Sequence, residues 1–264
     1  MMKKFNFSGY LFGVLLLFVF NVCAQKKEIV MDDNLLAGAE KLKVKMGSQW
    51  MNKIWKFKFG NYEVLDSKSG WATTKSNSKL FSLKVQSESG QKFSFNLGNK
   101  TKDTAVVNVV FSIKTEELQA IPIFSNFYVG PNVLLKESQN FTGFISTTSD
   151  VEDTWVLIMK LSEGSEVGYE NDAFLTNGER TITILPTSSN KYGEDSREYP
   201  ALGYEFVEKE VSLCAVQYYG GGAFGYNKNI VWLKSDLDER FKLILAAAMT
   251  SLLQKEVTQM ADID

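Results

Sequence analysis

The 264-residue chain contains no histidine. Histidine is the commonest general base in enzymes and the commonest ligand of transition metals. Its absence excludes Ser-His-Asp and Cys-His catalysis, together with zinc, copper and iron sites that use imidazole ligands. Any catalysis would have to use carboxylates, lysine, tyrosine, serine or threonine. We therefore predict no cofactor and no metal site.

Cysteine is nearly as scarce, with only Cys23 and Cys214 in the chain. Cys23 falls in a predicted leader, so the mature chain keeps one thiol and forms no internal disulfide. Cys214 lies in an apolar run, residues 212–216, with no base beside it, which predicts a small core residue. Stability must then come from core packing.

Long apolar runs are missing too, and one short run lies near the N-terminus. Lys3 and Lys4 precede residues 11–22 (LFGVLLLFVFNV), a stretch shorter than the ~20 residues of a membrane-spanning helix. Small residues at the end of the run complete the pattern of a secretory signal peptide over residues 1–24, with cleavage before Gln25. This leader resembles those of exported bacterial proteins. We therefore predict an exported protein, periplasmic or extracellular, with no transmembrane helix in the mature chain.

Cys23 allows a second interpretation, as the lipidated cysteine of a bacterial lipoprotein. The residue before such a cysteine is ordinarily Gly, Ala or Ser, whereas here it is Val22. We favour plain cleavage and keep lipid anchoring at Cys23 as the alternative.

The charge balance indicates which kinds of partner the protein can bind. Removing Lys3 and Lys4 with the leader leaves 27 basic residues against 31 acidic ones, a net charge of −4. A nucleic-acid-binding protein would show a basic patch or stripe. We predict no nucleic-acid partner.

Apolar and polar residues alternate in many short segments. Residues 41–46 and 55–59 place lysines on one face and apolar side chains on the other, which is the period of a half-buried strand. Turn signals such as Gly60-Asn61 separate these runs. The pattern predicts a mainly β protein, an antiparallel sandwich or open barrel, in a single domain over residues 25–264. Residues 121–140, where the alternation loosens, are a candidate connection between two sheet halves.

The last element has a helical period. Ser235 and Asp238 predict a capping box for a helix that runs to about Lys255. Residues 243–249 are apolar on nearly all sides, so we predict a C-terminal α-helix packed on the sheet. Asp32 or Asp33 is expected to cap a short helix near the N-terminus.

Two segments match the consensus sequence of a catalytic or nucleotide-binding motif but lack the secondary structure that the motif requires. Residues 220–225 contain GxGxxG, but the dinucleotide fingerprint needs a helix directly after it, and here residues 230–233 predict another strand. A glycine-rich hairpin loop explains the segment better. Ser76 begins an SxxK motif in a predicted polar turn, without the helix or the partner motifs that this nucleophile requires.

Four aromatic residues are the predicted ligand-binding residues. Phe224 and Tyr226 lie in the glycine-rich loop, which is a candidate flap, and Trp50 and Trp71 follow turn glycines. The other three tryptophans lie in strand patterns and are expected to pack in the core.

Taken together, these features predict an exported, non-enzymatic envelope protein of binding or structural type, whose partner is an unknown envelope component or small ligand. One alternative is a carboxylate-based hydrolase of an envelope glycan, using acidic clusters near residues 150–153, 194–198 or 205–210. It requires two facing carboxylates, one of them with a raised pKa. A second alternative is a β-barrel carrier of an apolar ligand, which requires an apolar cavity inside the sheet.

Overall fold

A computed structural model describes most of the chain after the leader. The described residues are 28–47, 54–70, 73–78, 84–100, 103–118, 121–124, 127–129, 133–164, 170–189, 200–220 and 229–261.

The fold is mainly β, as predicted, and consists of one antiparallel, near-closed, barrel-shaped sheet with a C-terminal helix. Thirteen strands follow one another in the order β1-β16-β15-β14-β13-β12-β11-β10-β7-β6-β4-β3-β2, and β5 also pairs with β6. β8 and β9 form a separate two-stranded sheet. The strands are β1 (Ala39–Lys43), β2 (Lys45–Met46), β3 (Phe57–Phe59), β4 (Tyr62–Ser69), β5 (Thr73–Ser78), β6 (Lys84–Gly98), β7 (Thr104–Leu118), β8 (Ile121–Phe124), β9 (Phe127–Val129), β10 (Val133–Thr147), β11 (Asp150–Gly164), β12 (Glu170–Thr176), β13 (Thr181–Ser188), β14 (Leu202–Glu208), β15 (Val211–Tyr219) and β16 (Ile230–Lys234), and the helices are α1 (Asp33–Gly38) and α2 (Glu239–Ala261).

One extended segment closes the barrel. β1 pairs with β16 from Ala39–Lys234 to Lys43–Ile230. After Val44 the chain continues as β2, which pairs with β3. Because β16 and β3 lie toward opposite ends of the strand order, residues 39–46 join the two ends of the sheet.

The sheet wraps around α2. Every residue from 243 to 257 is buried, so the helix is enclosed on all of its faces. It contacts β6, β7, β10, β15 and β16, which lie on different sides of the barrel. The helix side chains therefore form the centre of the hydrophobic core, together with inward-facing strand residues such as Phe57, Phe141 and Leu157.

A smaller core lies on the other face of β16. Val231 and Leu233 pack in the barrel core, whereas Ile230 and Trp232 point to the opposite face because side chains alternate along a strand. The N-terminal segment before β1 covers that face with Ile29, Met31 and Leu35.

The described residues correct several local expectations. Residues 41–46 are not one strand, because β1 and β2 pair with different neighbours. Ser76 lies in β5 and not in a polar turn, and a strand cannot supply the helical turn of an SxxK nucleophile. Within residues 121–140, β8 and β9 form their separate sheet, and β10 begins at Val133 and pairs directly with β7.

The ends of the helices agree only in part with the predicted caps. Asp32 caps α1, because its Oδ1 accepts a hydrogen bond from the Asn34 N–H at 2.8 Å. Asp238 alone caps α2, while the backbone N–H of Ser235 donates to Gly38 O of the segment before β1. Within the described part of the chain, neither helix combines the length and apolar character that crossing a membrane requires.

Candidate ligand-binding site

A cavity of about 460 Å³ opens at the N-terminal end of α2, and we call it the α2 cleft. Strand β11, the β12–β13 turn, the segment before α2 and the first turns of α2 contribute its walls. Its apolar wall consists of Trp155, Leu237, Phe241 and Ile244. Its polar wall consists of Asp153, Asn177, Arg180, Asp236, Asp238 and Arg240.

Asp238 sets the position of the cleft by starting the helix there. Its Oδ1 accepts hydrogen bonds from the backbone N–H of Arg240 at 3.0 Å and of Phe241 at 3.1 Å. These are the bonds of an N-cap residue, which satisfies donors that the first helical turn leaves open. Arg240 and Phe241 are thereby held at the mouth of the barrel.

Arg240 ties α2 to the β10–β11 hairpin. Its Nη1 lies 3.0 Å from Asp150 Oδ2, its Nη2 donates to Asp153 Oδ2, and its Nε donates to Thr147 Oγ1 at 3.2 Å. A cation in the first turn of a helix is unfavourable because the N-terminal end of the helix dipole is positive. The two carboxylates offset that charge.

Asp153 accepts bonds from three other residues. Besides Arg240, its carboxylate receives Asn177 Nδ2 at 2.9 Å and Trp155 Nε1 at 3.2 Å. Partial burial acts to raise the pKa of Asp153, but the hydrogen bonds from Asn177, Trp155 and Arg240 and the Arg240 charge outweigh it, so the pKa is lowered. The group is therefore ionised at neutral pH.

Arg180 lies over the aromatic part of the cleft. Its guanidinium binds Glu208 through two bonds, Nε to Oε1 at 2.8 Å and Nη2 to Oε2 at 2.7 Å. The same group lies 4.0 Å from the Phe241 ring centroid and 5.7 Å from that of Trp155. The Arg180 bond lowers the pKa of Glu208, with partial burial acting in the opposite direction.

A second polar cluster lies toward the C-terminal end of α2. Glu256 Oε1 accepts from the Tyr204 hydroxyl and from Lys255 Nζ, each at 2.8 Å. Gln254 bonds to both backbone groups of Trp55. Burial, and then the charge of Glu256, raises the pKa of Tyr204. These contacts join the helix to the sheet, so we assign them a packing role.

The four predicted ligand-binding aromatics, Phe224, Tyr226, Trp50 and Trp71, lie outside the described residues, and they stay predictions. The described strands on either side of the glycine-rich segment are as predicted, because β15 ends at Tyr219 and β16 begins at Ile230. The described glycine at its start, Gly220, has φ = +75°. An added Cβ there would lie 2.2 Å from Pro200 O, so glycine is required for both reasons.

Sequence patterns drew attention to the acidic clusters of the α2 cleft but not to its arginines. Asp150, Asp153 and Glu208 belong to clusters already noted, and their partners Arg180 and Arg240 were missed. Arginine scarcity is the signal that points to them, because only three of the 29 basic residues are arginine and two of these line the cleft. Arginine is preferred where a planar fork of donors is required.

Known proteins offer no guide to the chemistry of this cleft. Comparison with protein-family models, curated proteins and solved structures found no match to this chain. Among the described residues, no group of three cysteine or acidic side chains is placed to hold a metal ion.

Proposed function

We propose that the protein is an exported, non-enzymatic binding protein of the cell envelope that holds a small ligand in the α2 cleft. The observation that carries this proposal is the cleft itself, an open cavity with an apolar wall and a polar wall. Its volume of about 460 Å³ lies in the range of small-molecule sites. Elements distant in sequence hold its polar side chains in fixed positions, which favours recognition of one ligand.

The ionisation of the cleft supports binding in preference to hydrolysis. A glycoside hydrolase needs one carboxyl group that stays protonated near neutral pH. The pKa values of Asp153 and Glu208 are shifted downward instead. Both groups are also held by arginines, so neither is available as a general acid.

The packing of the barrel gives no support to a carrier of an apolar ligand. Such a carrier keeps an apolar cavity inside its sheet. Here side chains of α2, from Leu243 to Val257, fill the described interior. We therefore propose that the ligand binds at the end of the helix.

A cleft-filling variant tests the proposal. We expect a thermal-shift screen of sugars, amino acids, organic acids and lipids to yield a ligand that raises the Tm of the wild type. Leu237→Trp, which adds bulk to the cleft wall, should abolish that shift. The matched control is Leu36→Trp, at an exposed position on α1 that is 51% accessible, and it should retain the shift. Failure of every class of compound, or equal shifts in both variants, would contradict the proposal.

Export is tested separately by mass. Protein recovered from an export-competent host should begin at Gln25 and carry no covalent adduct. A retained leader would contradict export, and a lipid increment at Cys23 would establish the lipid-anchored alternative.

A further inference from the structure

We infer that the ligand of the α2 cleft is a neutral saccharide unit, bound through the guanidinium N–H groups of Arg180 and Arg240. This inference rests on the proposed function and names the chemistry of that same site.

The two arginines have donors left over in the described contacts. A guanidinium group carries five N–H donors. Arg180 directs two of them to Glu208. Arg240 donates from Nε and Nη2 to the β10–β11 hairpin, and its Nη1 forms an ion pair with Asp150. The side chains are 42% and 31% exposed, respectively, so the remaining donors are within reach of a ligand. The polar wall of the cleft therefore presents guanidinium N–H groups to which a ligand can offer oxygen acceptors.

The charge of the site disfavours an anion as the source of those oxygens. Each guanidinium is already paired with at least one carboxylate of the chain, and further carboxylates line the cleft. Charged groups in and beside the cleft include four cations, Arg180, Arg240, Lys209 and Lys234, and five carboxylates, Asp150, Asp153, Glu208, Asp236 and Asp238. An anionic ligand would add to this negative excess, whereas a neutral oxygen acceptor would not.

A simple cation fits the donors no better. An ammonium group has donors only and offers nothing to the guanidinium N–H groups. The carboxylate oxygens of Asp153 are already engaged by Arg240, Asn177 and Trp155. A hydroxyl group both donates and accepts, so it can meet the arginines and the exposed Asp236 carboxylate alike.

The apolar wall suits the remaining part of such a ligand. Leu237, Phe241 and Ile244 lie in the same cavity as the arginines. A sugar ring presents C–H groups on its faces and hydroxyl groups around its edge. That division matches an apolar wall beside a wall of planar donors, and the cavity volume limits the bound part to a small unit.

A charge-matched ligand series tests the inference on the wild-type protein. Neutral hexoses and N-acetylhexosamines are compared with the corresponding uronates and hexosamines at pH 7, using saturation-transfer NMR and calorimetry. We expect at least one neutral sugar to bind, with its uronate and its hexosamine each at least tenfold weaker.

Two variants identify the donors. Arg180→Lys keeps the positive charge beside Glu208 but removes the planar fork, and we expect it to weaken neutral-sugar binding at least tenfold. Glu88→Gln is the control, because it removes a charge from an exposed ion pair outside the cleft and should leave neutral-sugar binding within twofold. Circular dichroism and Tm establish that both variants are folded, and the ligand series on the wild type decides the matter if Arg180→Lys does not fold.

The outcomes separate the two proposals. Tighter binding of a uronate, a hexosamine or a non-saccharide, with loss of that binding in Leu237→Trp, overturns the saccharide inference and leaves the binding function in place. No binding by any class overturns both.

Discussion

At the scale of single residues, Arg180 and Arg240 connect elements that are distant in sequence. Each reaches across from one element to carboxylates on another, and together they hold three hairpins around the start of α2. A lysine in either place would supply the charge without the fork of donors. The two residues are therefore structural clamps whose remaining N–H groups also define the α2 cleft.

The lowered pKa of Asp153 predicts an acid-sensitive contribution to stability. A carboxylate whose pKa is lower in the folded state stabilises the fold above its unfolded value, ~3.9, and that stability is lost as the pH falls through the folded value. We expect Asp153→Asn to reduce the free energy of unfolding at pH 7 by about 2 kcal/mol. The difference from the wild type should shrink below about pH 4.

Urea unfolding at a series of pH values measures this effect. Asp236→Asn is the control, because Asp236 is 71% exposed and lies 3.7 Å from its cationic partner, so its loss should change stability by less than about 0.5 kcal/mol. A pH-independent difference for Asp153→Asn would contradict the assignment.

At the scale of elements, α2 supplies the centre of the hydrophobic core on which the stability of the barrel depends. A surface helix buries one stripe of apolar residues, whereas α2 is buried on every face from 243 to 257. Its polar residues in that stretch are bonded within the fold, for example Thr250 and Ser251 to backbone carbonyls one turn earlier. The helix therefore replaces the second sheet or the layers of side chains that would otherwise fill the barrel.

Truncating a helix side chain at the centre of the barrel should be costly. Leu252 is fully buried, and we expect Leu252→Ala to lower the free energy of unfolding by about 2–5 kcal/mol because it leaves a cavity. Leu36→Ala, at an exposed helical position, should change it by less than about 0.5 kcal/mol. Chemical denaturation measures both, and comparable small losses would mean that the helix is not the centre of the core.

At the scale of the whole molecule, the barrel-shaped sheet depends on pairing between segments that are far apart in the chain. β1 and β16 are roughly 190 residues apart in sequence, and the segment before β1 packs on β16 from outside. The two ends of the sheet are joined only when β1 has paired with β16 and β2 has paired with β3. Such long-range pairing favours slow folding and a single cooperative unfolding transition.

A substitution in the N-terminal segment should therefore destabilise the entire sheet. Ile29 is buried in the smaller core outside the barrel, which also contains Ile230 and Trp232 of β16. We expect Ile29→Ala to lower the unfolding midpoint seen by far-UV circular dichroism, with a loss of about 2 kcal/mol or more. Tryptophan fluorescence should give the same midpoint. Val30→Ala, its exposed neighbour, serves as the control. Separate midpoints for the two probes would mean that the segment unfolds independently of the barrel.

Local patterns in the sequence determined the class of the fold and much of its core. Period-two alternation predicted the half-buried strands, and the apolar run at 243–249 predicted a C-terminal helix packed on the sheet. Trp155, Trp232 and Cys214 are buried as expected, whereas Trp55 is only partly buried against the core. A strand buried on one face, or a helix buried on all faces, needs apolar residues at fixed positions within its own segment. These features can therefore be predicted from each segment alone.

Tertiary structure alone decided the closure of the barrel and the position of the α2 cleft. The alternation over residues 41–46 predicted one strand, yet the two halves of this segment pair with strands from opposite ends of the sheet order. Arg180, Glu208, Arg240 and Asp153 lie on four different elements and carry no common spacing. Charge pairing and strand register across the barrel bring them together, and no local period encodes a contact that only the closed sheet creates.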